Sequence, residues 1–324
     1  MAESGERPAE EPTTADLERA VADVERLGQS LLENVSSVII GKDQEIRHVL
    51  SALFGGGHVI FEDVPGVGKS MLARAVATSI EGSYRRIQFT PELTPADVTG
   101  SNVYNQRENA FEFRRGPVFT NVLLCDEINR SPPKTQSALL EAMAENQVTV
   151  DGETRPLPRP FLVIATRNTI EGTHTYGLPM AQLDRFMKQI HLGYPTASEE
   201  VSIVESVIGT HPIEELEPTT SLAALRSAQK TVSALQLETS IREYATQLVR
   251  HTREQCALGA SPRATIDLLR AAQGRAAING RWYVVPDDVQ TEAVEVLAHR
   301  IRPGPNCESA EQVIREALSE VPVE

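Results

Sequence analysis

Short apolar runs alternate with segments of helical periodicity between residues 58 and 192. Strands that alternate with helices in this way favour a mainly parallel sheet covered on both faces, so we predict an α/β body. A stretch of helical spacing from Leu17 to Val35 precedes these runs and predicts one amphipathic helix packed against the body. The apolar runs that predict the five strands of the sheet are residues 58–61, 84–89, 121–125, 161–165 and 188–192.

The pattern changes after Pro195, where helical periodicity predominates as far as Ile301. Pro286, followed by two aspartates, is typical of a helix start, and we interpret the helix that begins there as the last one. The N-terminal residues are rich in Glu, Pro, Ala and Ser, a composition that disfavours folding. We therefore predict a disordered tail (residues 1–14), an α/β body (15–195), a small all-helical domain (196–302) and a C-terminal segment (303–324).

The net charge of the chain disfavours functions that require binding to nucleic acids or anionic lipids. Of 324 residues, 31 are Lys or Arg and 45 are Asp or Glu, which gives a formal net charge of −14. So acidic a surface repels nucleic-acid phosphates and anionic lipids unless a basic stripe offsets it. The arginine doublets at residues 85–86 and 114–115 indicate solvated faces, not such a stripe. We expect no nucleic-acid partner.

The three cysteines, Cys125, Cys256 and Cys307, lie far apart and form no metal-binding motif, which is typical of a reducing cytoplasm. The N-terminus lacks the basic and apolar regions of a signal peptide. No apolar run approaches the roughly 18 residues that a membrane span needs. We expect a cytoplasmic protein without membrane insertion.

The string EDVPGVGKS, residues 62–70, follows the first predicted strand and precedes a predicted helix. This is the context of a phosphate-binding loop, in which glycines let backbone N–H groups converge on an anion. Lys69 would reach the β- and γ-phosphates, and the Ser70 hydroxyl would bind Mg²⁺. Asp63 replaces the usual glycine, and we expect it to shape the entry of the turn without contacting phosphate. A chance glycine turn is the alternative.

Polar side chains end the next strands of the predicted sheet. Asp126 and Glu127 directly follow the third strand, where Asp126 would hold Mg²⁺ and Glu127 would deprotonate the attacking water. Asn168 ends the fourth strand and would help to place that water. A pair of exposed turn acids, which is common, is the alternative. A strand followed by Asp-Glu downstream of a Gly-Lys-Ser loop is much less common and favours the functional interpretation.

Two arginines follow these motifs. Arg185 precedes the fifth strand, where it would reach the γ-phosphate of the nucleotide bound to a neighbouring subunit. Such arginine fingers raise the rate of hydrolysis roughly 10³–10⁵-fold. Arg263 lies near the start of a helix in the all-helical domain, and we expect it to contact the γ-phosphate of its own subunit. Taken singly, each arginine also fits a surface ion pair. Arg130 competes with Arg185 as the inter-subunit arginine.

This order of motifs resembles AAA+ ATPases, and three longer strings resemble the MoxR family: GPVFTNVLLCDEINRSPPKTQSALLEAMAENQVTVDG, GLPMAQLDRF and GASPRATIDLLRAAQGRAAINGRWYVVPDDV. The resemblance covers roughly residues 36–302. It implies a P-loop NTPase with a three-layer αβα body, a mainly parallel five-stranded sheet and a small all-α lid. It also implies a helix-2 insert at about residues 90–117 and a hairpin at about 148–160. Arg167 and Thr169 depart from the family's usual Gln and Pro.

The family resemblance further implies ATP hydrolysis with Mg²⁺ in a hexameric ring, and chaperone-like remodelling of client proteins. The partner would carry a von Willebrand factor A domain. A nucleotide-dependent scaffold with low turnover and a nucleic-acid motor stay open as alternatives. The predicted catalytic residues are Glu127, Asn168, Arg185 and Arg263, and the predicted metal ligands are Ser70 and Asp126. The predicted nucleotide contacts are Gly41, Val64, Pro65, Gly66, Val67, Gly68, Lys69, Ser70 and Met71.

Overall fold

The structure, a computed structural model, describes residues 14–169, 176–208, 212–305, 307 and 309–323. Its helices are Thr14–Ser36 (α1), Asp43–Phe54 (α2), Lys69–Thr78 (α3), Pro95–Thr99 (α4), Pro133–Glu145 (α5), Met180–Leu183 (α6), Ala197–Val207 (α7), Leu222–Ser233 (α8), Thr239–Gln255 (α9), Pro262–Ile278 (α10), Pro286–Leu297 (α11) and Ala310–Glu320 (α12). Its strands are Val59–Asp63 (β1), Ile80–Glu81 (β2), Tyr84–Gln88 (β3), Gly100–Asn105 (β4), Ala110–Arg115 (β5), Val122–Asp126 (β6), Gln147–Val150 (β7), Glu153–Pro156 (β8), Leu162–Asn168 (β9), Lys188–Ile190 (β10), Thr220–Ser221 (β11), Cys256–Leu258 (β12) and Arg302–Pro303 (β13).

The central sheet has five strands in the order β10-β1-β9-β6-β3, and every neighbouring pair is parallel. The predicted parallel sheet is therefore confirmed. Because the strands are parallel, their carboxyl ends share one edge of the sheet, which is where α/β folds place their ligands. The glycine loop after β1, the acid pair at the end of β6 and the amide at the end of β9 all lie along this edge.

The two faces of the sheet are covered by separate apolar cores, which gives the predicted three layers. Phe61 and Leu124 point into a core shared with α1, α2 and α3. Ile60 and Leu123, their alternating neighbours, point into a second core that includes α5. Alternate residues of each strand thus pack on opposite helical layers.

The C-terminal helices continue the first core instead of forming a core of their own. Leu268 on α10, Val289 on α11 and Val313 on α12 belong to the same apolar cluster as α1 and α2. The prediction that Pro286 begins the last helix is wrong, because α12 follows. Val313, Ile314 and Ala317 bury one face of α12, which contacts α9 and α11.

A buried ion pair also joins the sheet to these C-terminal helices. Lys188 on β10 contacts Glu292 on α11, and both side chains are 0% exposed. His48 on α2 contacts the same carboxylate at 3.0 Å. Burial alone would raise the pKa of Glu292, but the Lys188 charge and the His48 hydrogen bond hold it at about 2.

Two antiparallel hairpins lie at residues 100–115 and 147–156, close to the ranges of about 90–117 and about 148–160 predicted for the helix-2 insert and the second hairpin. Strands β4 and β5 form the first, and β7 and β8 form the second. Tyr104 and Phe111 pack edge to face on the first hairpin, and Phe111 is 73% exposed. Among the described helices, none is both long and apolar enough to cross a bilayer.

Candidate active site

The loop between β1 and α3 has the backbone conformation of an anion-binding turn. Gly66 and Gly68 have φ values of +90° and +92°, a region that side chains with a Cβ rarely adopt. A Cβ built on either residue would meet nothing within 4 Å, so the space beside the loop is open. The first turn of α3 follows at once, and its N–H groups add a positive end to this open space.

Lys69 folds back over the loop. Its Nζ donates hydrogen bonds to the carbonyl oxygens of Asp63 at 2.8 Å and Val64 at 2.6 Å, and the residue is 7% exposed. Burial lowers the pKa of Lys69, while the nearby Asp63, Glu127 and Asp126 carboxylates act to raise it. The Lys69 ammonium therefore lies between the backbone carbonyls of the loop and the carboxylates of Asp126 and Glu127.

Asp63, the departure from the usual glycine, ties this loop to the strand beside β1. Its Oδ2 accepts hydrogen bonds from the N–H groups of Leu192 at 2.9 Å and Gly193 at 2.6 Å, just after β10. Its Oδ1 accepts one from the N–H of Val64 at 2.7 Å. Burial acts to raise the pKa of Asp63, but these hydrogen bonds to the charged form outweigh it and the pKa falls.

Asp126 is a buried carboxylate at the end of β6, only 2% exposed, and it accepts three hydrogen bonds from side chains. Its Oδ1 accepts hydrogen bonds from the hydroxyls of Ser70 at 2.6 Å and Thr166 at 3.2 Å. Its Oδ2 accepts one from the Nε of Arg86 at 2.6 Å. A serine hydroxyl beside a buried carboxylate is the oxygen donor set that Mg²⁺ prefers, so these residues fit the predicted metal.

Glu127 is held by three donors. Its Oε1 accepts from the Asn168 amide at 3.1 Å, and its Oε2 accepts from Gln88 at 3.0 Å and Arg130 at 2.7 Å. Its backbone lies in the left-handed region at φ +54°, a strain that folds keep mainly at functional sites. The carboxylate is 28% exposed and therefore remains open to water.

These groups line one open cleft of about 380 Å³. It brings together nine of the residues predicted from the sequence, namely Pro65, Gly66, Gly68, Lys69, Ser70, Met71, Asp126, Glu127 and Asn168. Three lining residues were missed: Arg86, Gln88 and Thr166.

Three predicted nucleotide contacts, all within the described residues, do not line the cleft. Gly41 packs under Glu199 of α7, and a Cβ there would lie 2.0 Å from its Oε1. Val64 contributes its carbonyl to Lys69, and Val67 packs against the first core.

The two predicted arginines lie away from this cleft. Arg185 donates to the carbonyl of Leu140 on α5. Arg263 is 3.8 Å from Asp267 and 47% exposed. Asp267 also pairs with Arg300, which donates to the carbonyl of Phe186. The N–H of the next residue, Met187, donates to the carbonyl of His58, so these contacts place Arg263 near the residue that precedes β1.

The glycine loop follows the other end of β1, and a strand of five residues is roughly 16 Å long. The expected contact of Arg263 with phosphate in its own subunit does not fit this placement. Ser261 lies 3.4 Å from the Asp184 carboxylate, and Arg300 pairs with both Asp184 and Asp267. These contacts hold the start of α10 beside residues 184–186, at the edge of the sheet opposite the glycine loop.

Arg85 and Arg86 are both exposed, as the interpretation of a solvated doublet expects, but Arg86 also donates a hydrogen bond to Asp126, which that interpretation missed. Arg86 and Gln88 share one face of β3, and Gln88 lies in register with Asp126. Arg167, which departs from the family pattern, forms an ion pair with Glu62, its register partner on β1.

The sequence and the fold of this chain are similar to those of known proteins. The family described as "ATPase family associated with various cellular activities (AAA)" matches residues 58–188, and an AAA lid domain matches residues 250–317. The uncharacterized protein YeaC of Bacillus subtilis is 46% identical over 92% of this chain and 94% of its own. Chaperone MoxR1 of Mycobacterium tuberculosis is 39% identical over 91% of this chain and 80% of its own. A crystal structure of a candidate ATPase from Cytophaga hutchinsonii, 35% identical, superposes with a TM-score of 0.87 over 95% of this chain and 98% of its own.

Proposed function

This chain belongs to the MoxR family of AAA+ ATPases, and from that membership we propose that it hydrolyses ATP between the subunits of a ring. One observation carries the proposal. Around a single cleft, Ser70 binds Asp126 while Asn168 binds Glu127, directly beside the glycine loop and Lys69. Anion-binding groups and a water-exposed carboxylate thus face the same space.

Each group has a distinct task in this proposal. The N–H groups of the loop and Lys69 bind the phosphates, and Glu127 accepts a proton from the attacking water. Asn168 orients that carboxylate through the hydrogen bond of 3.1 Å. Ser70 and Asp126 would hold Mg²⁺, which neutralises charge on the phosphate oxygens when bound.

The proposal assigns the remaining positive charge to a neighbouring subunit. Within one subunit, Arg86 and Arg130 are paired with Asp126 and Glu127. Arg185 lies at the opposite edge of the sheet together with Arg263, so both reach a γ-phosphate only across a subunit interface. This placement favours Arg185 over Arg130 as the inter-subunit arginine, in a ring that the family resemblance makes hexameric.

We further propose that the ATPase cycle drives chaperone-like remodelling of client proteins, with a partner carrying a von Willebrand factor A domain. The support for remodelling is the kinship with chaperone MoxR1 and the exposed aromatic pair of the β4–β5 hairpin, Tyr104 and Phe111. The class of partner rests on the family resemblance alone. The buried ion pair between Lys188 and Glu292 would transmit movement of the helical domain to the sheet.

The Glu127→Gln variant tests the hydrolytic step. It keeps the shape and the Asn168 contact but removes the base, so ATP binding should persist while phosphate release falls about 10²–10⁴-fold. Glu254→Gln, an exposed change on α9, is the matched control and should release phosphate at the parental rate. Parental turnover by Glu127→Gln would contradict the assignment. Tight ATP binding without turnover in the parent itself would favour the scaffold alternative.

A further inference from the structure

Arg86 is a cation that neither the predicted site nor the proposed reaction uses. It lies on β3, the edge strand beside β6, and its Nε donates to the Asp126 Oδ2 at 2.6 Å. A second nitrogen lies 3.4 Å from the Oε1 of Gln88. The Arg86 side chain lines the cleft and is 57% exposed, whereas that of Asp126 is 3% exposed.

A metal ion bound to the Asp126 carboxylate would lie beside the Arg86 guanidinium that the same carboxylate accepts. The Oδ1 of this carboxylate already accepts from Ser70 and Thr166, so Oδ2 is the oxygen that Arg86 covers. A guanidinium stays protonated at every physiological pH, and two cations on one carboxylate repel each other.

We infer that Arg86 competes with the divalent cation for Asp126, so that the metal is admitted together with the triphosphate and not before it. This rests on the proposed ATPase function. The phosphates bring enough negative charge for both cations, and the half-exposed Arg86 side chain has room to turn from Asp126 toward them. Arg86 is in this sense a positioning residue that makes metal binding depend on nucleotide.

Mn²⁺ titration of the full-length protein without nucleotide, with free Mn²⁺ measured by electron paramagnetic resonance, tests this inference. Arg86→Gln should bind Mn²⁺ about tenfold more tightly than the parent, because the competing charge is gone. Arg86→Lys keeps the charge but loses the planar guanidinium, so its Mn²⁺ affinity should lie between those of the parent and Arg86→Gln. Arg85→Gln is the matched control: it removes the same charge from the same strand, on the face shared with Ile87, and should leave Mn²⁺ affinity unchanged.

Equal Mn²⁺ affinity in Arg86→Gln and the parent would overturn the inference. Thermal denaturation gives a second measurement, since a ligand that binds only the folded state raises the melting temperature. Added Mn²⁺ should therefore raise the melting temperature of Arg86→Gln more than that of the parent. Binding of Mn²⁺–ATP to the parent and to Arg86→Gln distinguishes a failure of the proposed ATPase function from a failure of the role of Arg86. If neither protein binds Mn²⁺–ATP, the proposed ATPase function is wrong. If both bind it normally but have equal affinities for Mn²⁺ alone, only the role of Arg86 is wrong.

Discussion

Replacing Asp63 with alanine removes the carboxylate that ties the end of β1 to the chain after β10. Two hydrogen bonds cross between these segments, from the N–H groups of Leu192 at 2.9 Å and Gly193 at 2.6 Å. A hydrogen bond to a charged group contributes about 1.5–3 kcal/mol, and the lower figure applies because this carboxylate is partly exposed. Two such bonds give an expected loss of about 3 kcal/mol in the free energy of unfolding.

Urea denaturation followed by circular dichroism measures this loss. Asp63→Gly, which restores the usual loop residue, should lose at least as much because glycine gives the unfolded chain more freedom. The pKa of Asp63 is lowered from 3.8 by folding, so its stabilisation is complete above that pH and disappears as the pH falls through the lower folded value. Asp23→Ala removes an exposed ion pair with Arg26 and should change stability by less than about 0.5 kcal/mol. An Asp63→Ala loss no larger than this control at pH 7 would refute the reasoning.

Two further predictions concern a buried and an exposed ion pair. Lys188→Met leaves the fully buried Glu292 without its main partner and should lower the free energy of unfolding by about 3–5 kcal/mol. Urea denaturation should show that the Lys188→Met/Glu292→Met double variant is more stable than Lys188→Met alone. Arg130→Ala removes an exposed partner of Glu127 and should change steady-state phosphate release by less than about tenfold, whereas Arg185→Ala should reduce it by about 10³-fold or more.

The body of the fold was predictable because its signals are local. Buried parallel strands are continuous apolar runs, and the glycine loop and the acid pair each follow such a run directly. Once the strands are known to be parallel, their carboxyl ends must meet, which is why Lys69, Asp126 and Asn168 could be assigned to one site from the sequence.

The missed features depend on pairings between distant segments. Arg86 looked like part of a solvated doublet because nothing in residues 85–86 shows that β3 lies in register with β6. The position of Arg263 depends on contacts such as those of Arg300 with Asp184 and Asp267, which fix where the helical domain packs. Helical periodicity predicts helices but not the face of the body that they cover.

A subunit-mixing experiment tests the proposal of an active site shared between subunits most directly. Glu127→Gln and Arg185→Ala subunits each lack one half of every site when assembled alone. In the proposed ring, a mixture of the two would also contain interfaces where the intact Glu127 of one subunit faces the intact Arg185 of the next. The account predicts that mixing raises phosphate release well above that of either variant at equal total concentration. Mixing Glu127→Gln with the Glu127→Gln/Arg185→Ala double variant should give no such rise. Co-purification through a tag on one variant verifies that mixed rings have formed. If these mixed rings release phosphate no faster than the separate variants, the account is contradicted.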